Sequence, residues 1–554
     1  MINTDPCART EARLAVLQGL AALSVLCALA ACGGGGDDSA AAPAPSPAPA
    51  PAPPAPPPSP LPDTAGARGP ALEARAIVSR LDVGTIDPVH SPTIAVPTYA
   101  QRYFPPGRRT ATGDFNGDGK TDMVVCPSYF SSGPLMGCEF WLNDGSGKFR
   151  IGTSEVYAGA PIRQAGANSV LVADFNGDGR PDVFVVAQGP EANNPADPEA
   201  DQAINHVLLS RPDGKLEDAT ATALPLNPYG FHHPSAMGDL DGDGDIDLAI
   251  CELGGRNESG AFLLVNDGTG RFSRDTASLP DELRALMAPP AGALRCGTVA
   301  IADLDGDGRA ELIAATYIGL GDPRELRIYR RGSDGSYSLA ASIPYPADIA
   351  TASAGGTGFG AAGMAVGDID GDGRPDIVVL LESIPMGAHL LVYRNQGGLA
   401  FTDVTTETLG SSRPWPASEE FKPGSAWLAL RDLDGDGKLD LTLSQAFFHP
   451  QLADYSPFLL NDGNGVLRPW VPLIGGERYR GSGGLNDAQW TALLGIPYTN
   501  PTGLLAFDAT GDGRTDWVFF DNIVPDPVAE PARQINGSFV DFVVFLRVLP
   551  QVAR

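Results

Sequence analysis

A nine-residue acidic string recurs seven times in this 554-residue chain. It reads DFNGDGKTD at 114–122, DFNGDGRPD at 174–182, DLDGDGDID at 239–247, DLDGDGRAE at 303–311, DIDGDGRPD at 368–376, DLDGDGKLD at 432–440 and DATGDGRTD at 508–516. The first aspartates lie 60, 65, 64, 65, 64 and 76 residues apart. Such a period marks a repeat architecture, in which one supersecondary unit is stacked against copies of itself. Short apolar runs lead into each string, as SVLVA at 169–173, and out of it, as IVVL at 377–380. Their length and β-branched content mark buried strands. A further strand with an Asn-Asp-Gly turn follows, as in WLNDGSGKF at 141–149, FLLVNDGTGRF at 262–272 and FLLNDGNGVL at 458–467. Asn-Asp-Gly is hairpin chemistry. Each repeat therefore reads as strand, acidic loop, strand, longer loop, strand, turn, strand. Seven such units predict an all-β, seven-bladed β-propeller of four-stranded antiparallel blades.

Ring closure is a separate requirement, because an open ring leaves sheet edges unpaired. The last repeat offers three strands, at 504–507, 517–520 and 539–549, and is one short. Residues 73–83, with the run Ala76-Ile77-Val78, are expected to supply the missing outer strand; 93–96 is a second candidate.

The string places carboxylates or amides at positions 1, 3 and 5, a free carbonyl at 7, and Asp or Glu at 9. Glycine at 4 and 6 permits the tight turn that points these oxygens at one centre. Several hard, charged oxygens suit Ca²⁺ better than Mg²⁺, which demands a tighter octahedron and keeps its waters. Without a cation the crowded carboxylates repel one another by several kcal/mol, as an order of magnitude. An EF-hand loop begins in the same way but needs an acid at position 12. Here that position is Val125, Val185, Ile250, Ala314, Val379, Leu443 and Phe519, all apolar.

The loops and their spacing resemble the FG-GAP/VCBS repeats of integrin α-subunit propellers and many bacterial surface proteins, over roughly residues 100–550. The resemblance implies one Ca²⁺ per blade, in the loop between the first two strands. Its side-chain ligands would be Asp114, Asn116, Asp118 and Asp122 in blade one, and Asp174, Asn176, Asp178 and Asp182 in blade two. Blade three offers Asp239, Asp241, Asp243 and Asp247, and blade four Asp303, Asp305, Asp307 and Glu311. Blade five offers Asp368, Asp370, Asp372 and Asp376; blade six offers Asp432, Asp434, Asp436 and Asp440. Blade seven offers Asp508, Asp512 and Asp516, with Thr510 where an acid or amide is usual. The family's Phe-Gly and Gly-Ala-Pro signatures survive only as Phe359-Gly360 and Gly159-Ala160-Pro161. The seven sets hold 25 carboxylates in a chain of formal charge −29. Seven Ca²⁺ would bring that charge to about −15. An acidic surface also argues against nucleic acid as a partner.

Arg9 and Arg13 precede an apolar run over 14–31, which fits a signal segment at 1–31. Its end, Leu29-Ala30-Ala31-Cys32, resembles the lipobox of bacterial lipoproteins. That resemblance implies cleavage before Cys32 and a lipid on its sulfur, the only expected contact with a membrane. Gly33 follows, where the family's inner-membrane retention signal is Asp, so the outer membrane or cell surface is the expected location. The linker over 32–70 contains an Ala/Pro tract at 40–62, whose prolines favour an extended stalk. The propeller is then expected over 71–554.

Four cysteines remain in the folded body: Cys126, Cys138, Cys251 and Cys296. An even count in an exported chain suggests two disulfides, with three pairings open. Cys126–Cys138 is favoured because a short loop joins neighbouring strands, which leaves Cys251–Cys296. The chain has six histidines and none in a metal-ligand spacing; GxSxG, P-loop and dinucleotide motifs are absent. No catalytic set is therefore expected. His232, His233, Arg163 and Arg295 stand in loops before first strands and are candidates for a ligand rim, with Trp415, Lys422 and Tyr498 in similar loops. The expected function is a calcium-stiffened scaffold that binds a protein or glycan. The alternative is a calcium-dependent polysaccharide lyase or hydrolase on the same scaffold.

Overall fold

In the computed structural model the described residues are 71–72, 77–85, 109–126, 137–162, 167–187, 204–224, 230, 232, 235–253, 259–286, 296–316, 324–347, 359–383, 387–410, 427–444, 458–469, 473–474, 477–478, 501–521, 524–525, 534–535, 538–539 and 541–552. They form seven antiparallel blades. Blade one is built from Thr110–Gly113, Asp122–Val125, Glu139–Asn143 and Phe149–Ile151. Blade five repeats the pattern with Phe359–Gly367, Asp376–Ser383, Gly387–Asn395 and Phe401–Asp403. In every blade the acidic string joins the first strand to the second.

The second strands explain why the apolar runs do not alternate with polar residues. In Asp376–Ser383, Ile377, Val379 and Leu381 pack with blade four, whereas Val378 and Leu380 pack with blade six. In Asp182–Ala187, Val183 and Val185 face blade one and Phe184 and Val186 face blade three. Both faces of the strand are covered, so both sets of side chains must be apolar. The core therefore lies between blades, and each cluster is shared by two consecutive repeats.

Closure follows the sequence expectation. Pro501–Phe507, Asp516–Asp521 and Asp541–Leu549 form the first three strands of blade seven. Ile77–Thr85 is its outer strand, antiparallel to the third, with Ile77 opposite Val548 and Thr85 opposite Asp541. The Phe149 N–H of blade one donates to Ser79 Oγ at 2.8 Å, which ties the closing strand to the next blade. A small second sheet sits beside this seam: Ala71–Leu72 lies between Leu473–Ile474 and Gln551–Val552. The other candidate, 93–96, lies outside the described residues.

Both favoured disulfides are present, Cys126–Cys138 with Cα atoms 4.2 Å apart and Cys251–Cys296 at 5.2 Å. Among the described residues three one-turn helices follow outer strands, at Thr153–Val156, Thr220–Ala223 and Thr405–Leu409. The Oγ1 of each leading threonine accepts a third-strand N–H, from Phe140, Val207 and Val392. Each thus satisfies a donor that the short outer strand leaves uncovered. Among the described residues no helix is long and apolar enough to cross a membrane.

Leu81 in the closing strand is 1% exposed. Leu81→Ala is expected to destabilise the propeller by about 3 kcal/mol, through lost burial and the cavity left behind. A urea titration would register this as a lower midpoint; an unchanged midpoint would mean that the seam does not hold the ring.

Candidate metal centres

The position-1 aspartate shapes each loop. Asp368 Oδ1 accepts the N–H of Gly371 at 2.7 Å and of Asp372 at 3.1 Å, and Oδ2 accepts that of Gly373 at 2.8 Å. Asp432 and Asp508 hold their loops in the same way. This wrapping needs positive φ at positions 4 and 6, and all fourteen glycines there have it, from 71° at Gly511 to 94° at Gly244. A side chain at either position would strain the backbone.

The position-9 acid fastens the loop to the sheet. Asp376 Oδ2 accepts the Ile369 N–H at 3.1 Å, and Oδ1 accepts the Asn395 N–H of the third strand at 2.8 Å. Asp122, Asp182, Asp247, Asp440 and Asp516 make the same pair of bonds. Burial pushes these carboxyls up: Asp122, Asp247 and Asp376 to about 6 and Asp440 to about 7, with loop aspartates at positions 1, 3 or 5 adding repulsion in each case. Asp182, Glu311 and Asp516 shift in the same direction, chiefly through burial.

Positions 1, 3 and 9 converge. In Asp239/Asp241/Asp247, Asp303/Asp305/Glu311, Asp368/Asp370/Asp376 and Asp432/Asp434/Asp440, one oxygen from each residue lies within 4.8 Å of the other two. Asp241 Oδ1 is buried without a hydrogen-bond partner, and its carboxyl is raised by burial and then by the Asp243 charge. Such a donor set fits a hard cation. Blades one, two and seven keep the acids at 1 and 9 but carry Asn116, Asn176 and Thr510 at position 3. In four loops position 5 has a partner outside this group. Asp372, Asp436 and Asp512 pair with the basic residue at position 7 of their own loops, Arg374, Lys438 and Arg514. Asp178 accepts from Ser210 Oγ at 2.9 Å.

One set of functional residues was hidden in the turn motif. The asparagine of the turn, in Asn-Asp-Gly of blades one, three and six and Asn-Gln-Gly of blade five, ends the third strand, and its side chain crosses to the preceding blade. Asn395 Nδ2 donates to Leu304 O of blade four at 2.7 Å and to Pro375 O of its own loop at 3.0 Å. Asn143 reaches Ala509 O, Asn266 reaches Phe175 O, Asn461 reaches Ile369 O and Gln551 reaches Leu433 O. Each acceptor is the position-2 carbonyl of the neighbouring loop. Blade four has Arg331 at this place, and there the Tyr337 hydroxyl donates to Leu240 O at 3.1 Å. Blade two has Ser210, which is too short to cross. The signal was a fixed Asn at the strand end, which turn propensity alone had absorbed.

The expected ligand rim is mostly outside the described residues: Arg163, His233, Arg295, Trp415, Lys422 and Tyr498 are not among them. His232 is fully buried, with Nδ1 2.9 Å from Asn205 Oδ1 and Nε2 2.9 Å from Glu252. It sits in a packed interior and presents no surface to a ligand. The first strands of all seven blades instead line an axial cavity of about 420 Å³, bordered by Thr110, Ser169, Met237, Thr298, Met364 and Arg431 among others. Arg431 is its charged group; Nη1 donates to Ala506 O at 3.1 Å, and desolvation holds its pKa below the usual arginine value.

Asn395→Ala would leave two carbonyls unpaired in the interior and is expected to cost about 2–3 kcal/mol, against under about 1 kcal/mol for Ser210→Ala. Equal losses in thermal melts would refute the latch. The position-9 acids set a pH trend in chelator-treated protein. Their folded values lie above the unfolded 3.8, so the protonated form stabilises the fold. That contribution is complete below about pH 4 and is lost as pH climbs through 6 to 7. The metal-free melting temperature is expected to fall between about pH 4 and 7.

The sequence matches the FG-GAP-like repeat family over residues 114–185, 239–314 and 303–379. Among solved structures, rhamnogalacturonan lyase YesW is similar at 14% identity and TM-score 0.36, over 80% of this chain and 71% of that one. The exotype rhamnogalacturonan lyase YesX is similar at 14% and 0.35, over 80% and 72%. A protein from Lactobacillus plantarum is similar at 13% and 0.33, over 59% and 78%. FG-GAP-like repeats over those three stretches thus lie within a seven-bladed β-propeller whose blades each carry an acidic loop.

Proposed function

We propose that this propeller is a calcium-binding scaffold, anchored in the bacterial envelope through a lipid on Cys32, that presents its surface to a protein or glycan ligand. The convergence of three carboxylate oxygens within 4.8 Å in blades three to six carries the reading. A divalent ion there would offset the repulsion and burial that raise the position-9 acids. With the loops stiffened, the latch residues would hold the blades in fixed register. The anchor rests on the Leu-Ala-Ala-Cys string and the Ala/Pro tract that follows it. The axial cavity, with Arg431 on its wall, suits an acidic group of a glycan or peptide. The enzyme alternative stays a proposal of lower rank, because it needs a base and an open metal position converging in one cleft.

Calcium at a hundred times its dissociation constant is expected to stabilise the fold by about 2.7 kcal/mol per site. EGTA should therefore lower the melting temperature by many degrees, and a melt insensitive to EGTA would sink the calcium reading. Cys32→Ala is expected to move the protein from the membrane to the soluble fraction and to abolish incorporation of labelled fatty acid. A glycan array probed with and without chelator tests the ligand class; a binding module gives signals that disappear when calcium is removed.

A further inference from the structure

Blade four departs from most of the other blades at three positions. Position 9 is Glu311, where the other six have Asp. The latch position is Arg331, which reaches Asp241 O of blade three at 3.1 Å. The residue before it is Arg330, where blades one, two, three and six carry Leu142, Leu209, Val265 and Leu460. These changes form one arrangement. Glu311 is 1% exposed; its Oε2 accepts the Leu304 N–H at 2.9 Å, as the shorter aspartates do with their own position-2 amides. Its Oε1 does not stop at the third-strand backbone. The extra methylene carries it to Arg330 Nε at 3.3 Å, and Arg330 Nη2 closes on Asp305 Oδ2. Asp305 and Glu311 are two of the three carboxylates that converge in this loop.

We propose that blade four supplies its own cation: the Arg330 guanidinium, held by Asp305 and Glu311, takes the place of the metal ion, so the chain binds one calcium fewer than it has loops. The inference rests on the calcium reading of the other loops. A guanidinium stays charged at any physiological pH, so it and a divalent ion would repel each other across the same carboxylates. Blade five shows the partial form. Arg394 Nε lies 2.8 Å from Asp370 Oδ2, but Asp376 keeps its two backbone donors, so only position 3 is engaged. Blades one, two, three and six have an aliphatic side chain at that place.

Native mass spectrometry of the full-length chain in calcium would count ions on the wild type and on three variants, each checked for folding by its melting transition. Asp303→Asn is expected to leave the count unchanged and Asp432→Asn to lower it by one. Arg330→Leu, which restores the residue of blades one, two and six, is expected to raise it by one. Loss of an ion in Asp303→Asn, or a folded Arg330→Leu that gains none, overturns the proposal while leaving calcium in the other blades intact. A wild type without any bound calcium overturns the calcium reading and this inference together.

Discussion

A buried carboxylate at the ninth loop position holds each repeat together. It is placed where water cannot solvate it, so its charge has to be met by fixed donors. The second residue of its own loop and the last residue of the third strand provide them. These two bonds bring the loop, the second strand and the third strand to a common point. From that point the asparagine side chain extends to the preceding blade. The polar framework thus runs from loop to loop at the edge of an apolar core, broken between blades one and two, and a cation would bind on the side of the acid that its backbone donors leave open.

Much of this was legible in the residues. The seven strings announced the blade count, and the β-branched runs marked strands covered on both faces. Ile77-Val78 supplied the closing strand, and the short 126–138 loop identified one disulfide. Two things were not legible. Turn propensity explains Asn395 without any reference to Leu304, because propensity describes a residue's own backbone and says nothing of a carbonyl 91 positions away. The ligand positions were also read as equal, since spacing alone places every odd oxygen toward the centre. In the loops of blades five, six and seven position 5 pairs with its own position-7 base, and in blades three to six the convergent group is 1, 3 and 9. His232 is a related lesson: its place before a first strand suggested a ligand rim, but Asn205 and Glu252, from two neighbouring blades, enclose it.

The seven repeats are also not equally joined. Blades with Asn or Gln at the strand end bond to the carbonyl behind them, and blade four substitutes a tyrosine hydroxyl. Ser210 keeps to its own loop, receiving the Asn176 amide and donating to Asp178. The junction between blades one and two therefore relies more on the apolar cluster that includes Phe140, Val170 and Val185. Divergence among repeats has altered the polar links without disturbing the core, because packing tolerates small changes in shape while a hydrogen bond tolerates little change in reach.

The pairing of Ile77 with Val548 sets a timetable for assembly. The strand that completes the last blade precedes blade one in the sequence, and its partner follows the seventh acidic loop. Six blades can form in order as the chain emerges, each burying one face against its predecessor. Throughout that interval Ile77–Thr85 has no sheet to join, and blade one presents an uncovered flank. The circle closes only when Ile77–Thr85 meets Asp541–Leu549, so a stack lacking that pairing would expose a face at each side of the seam.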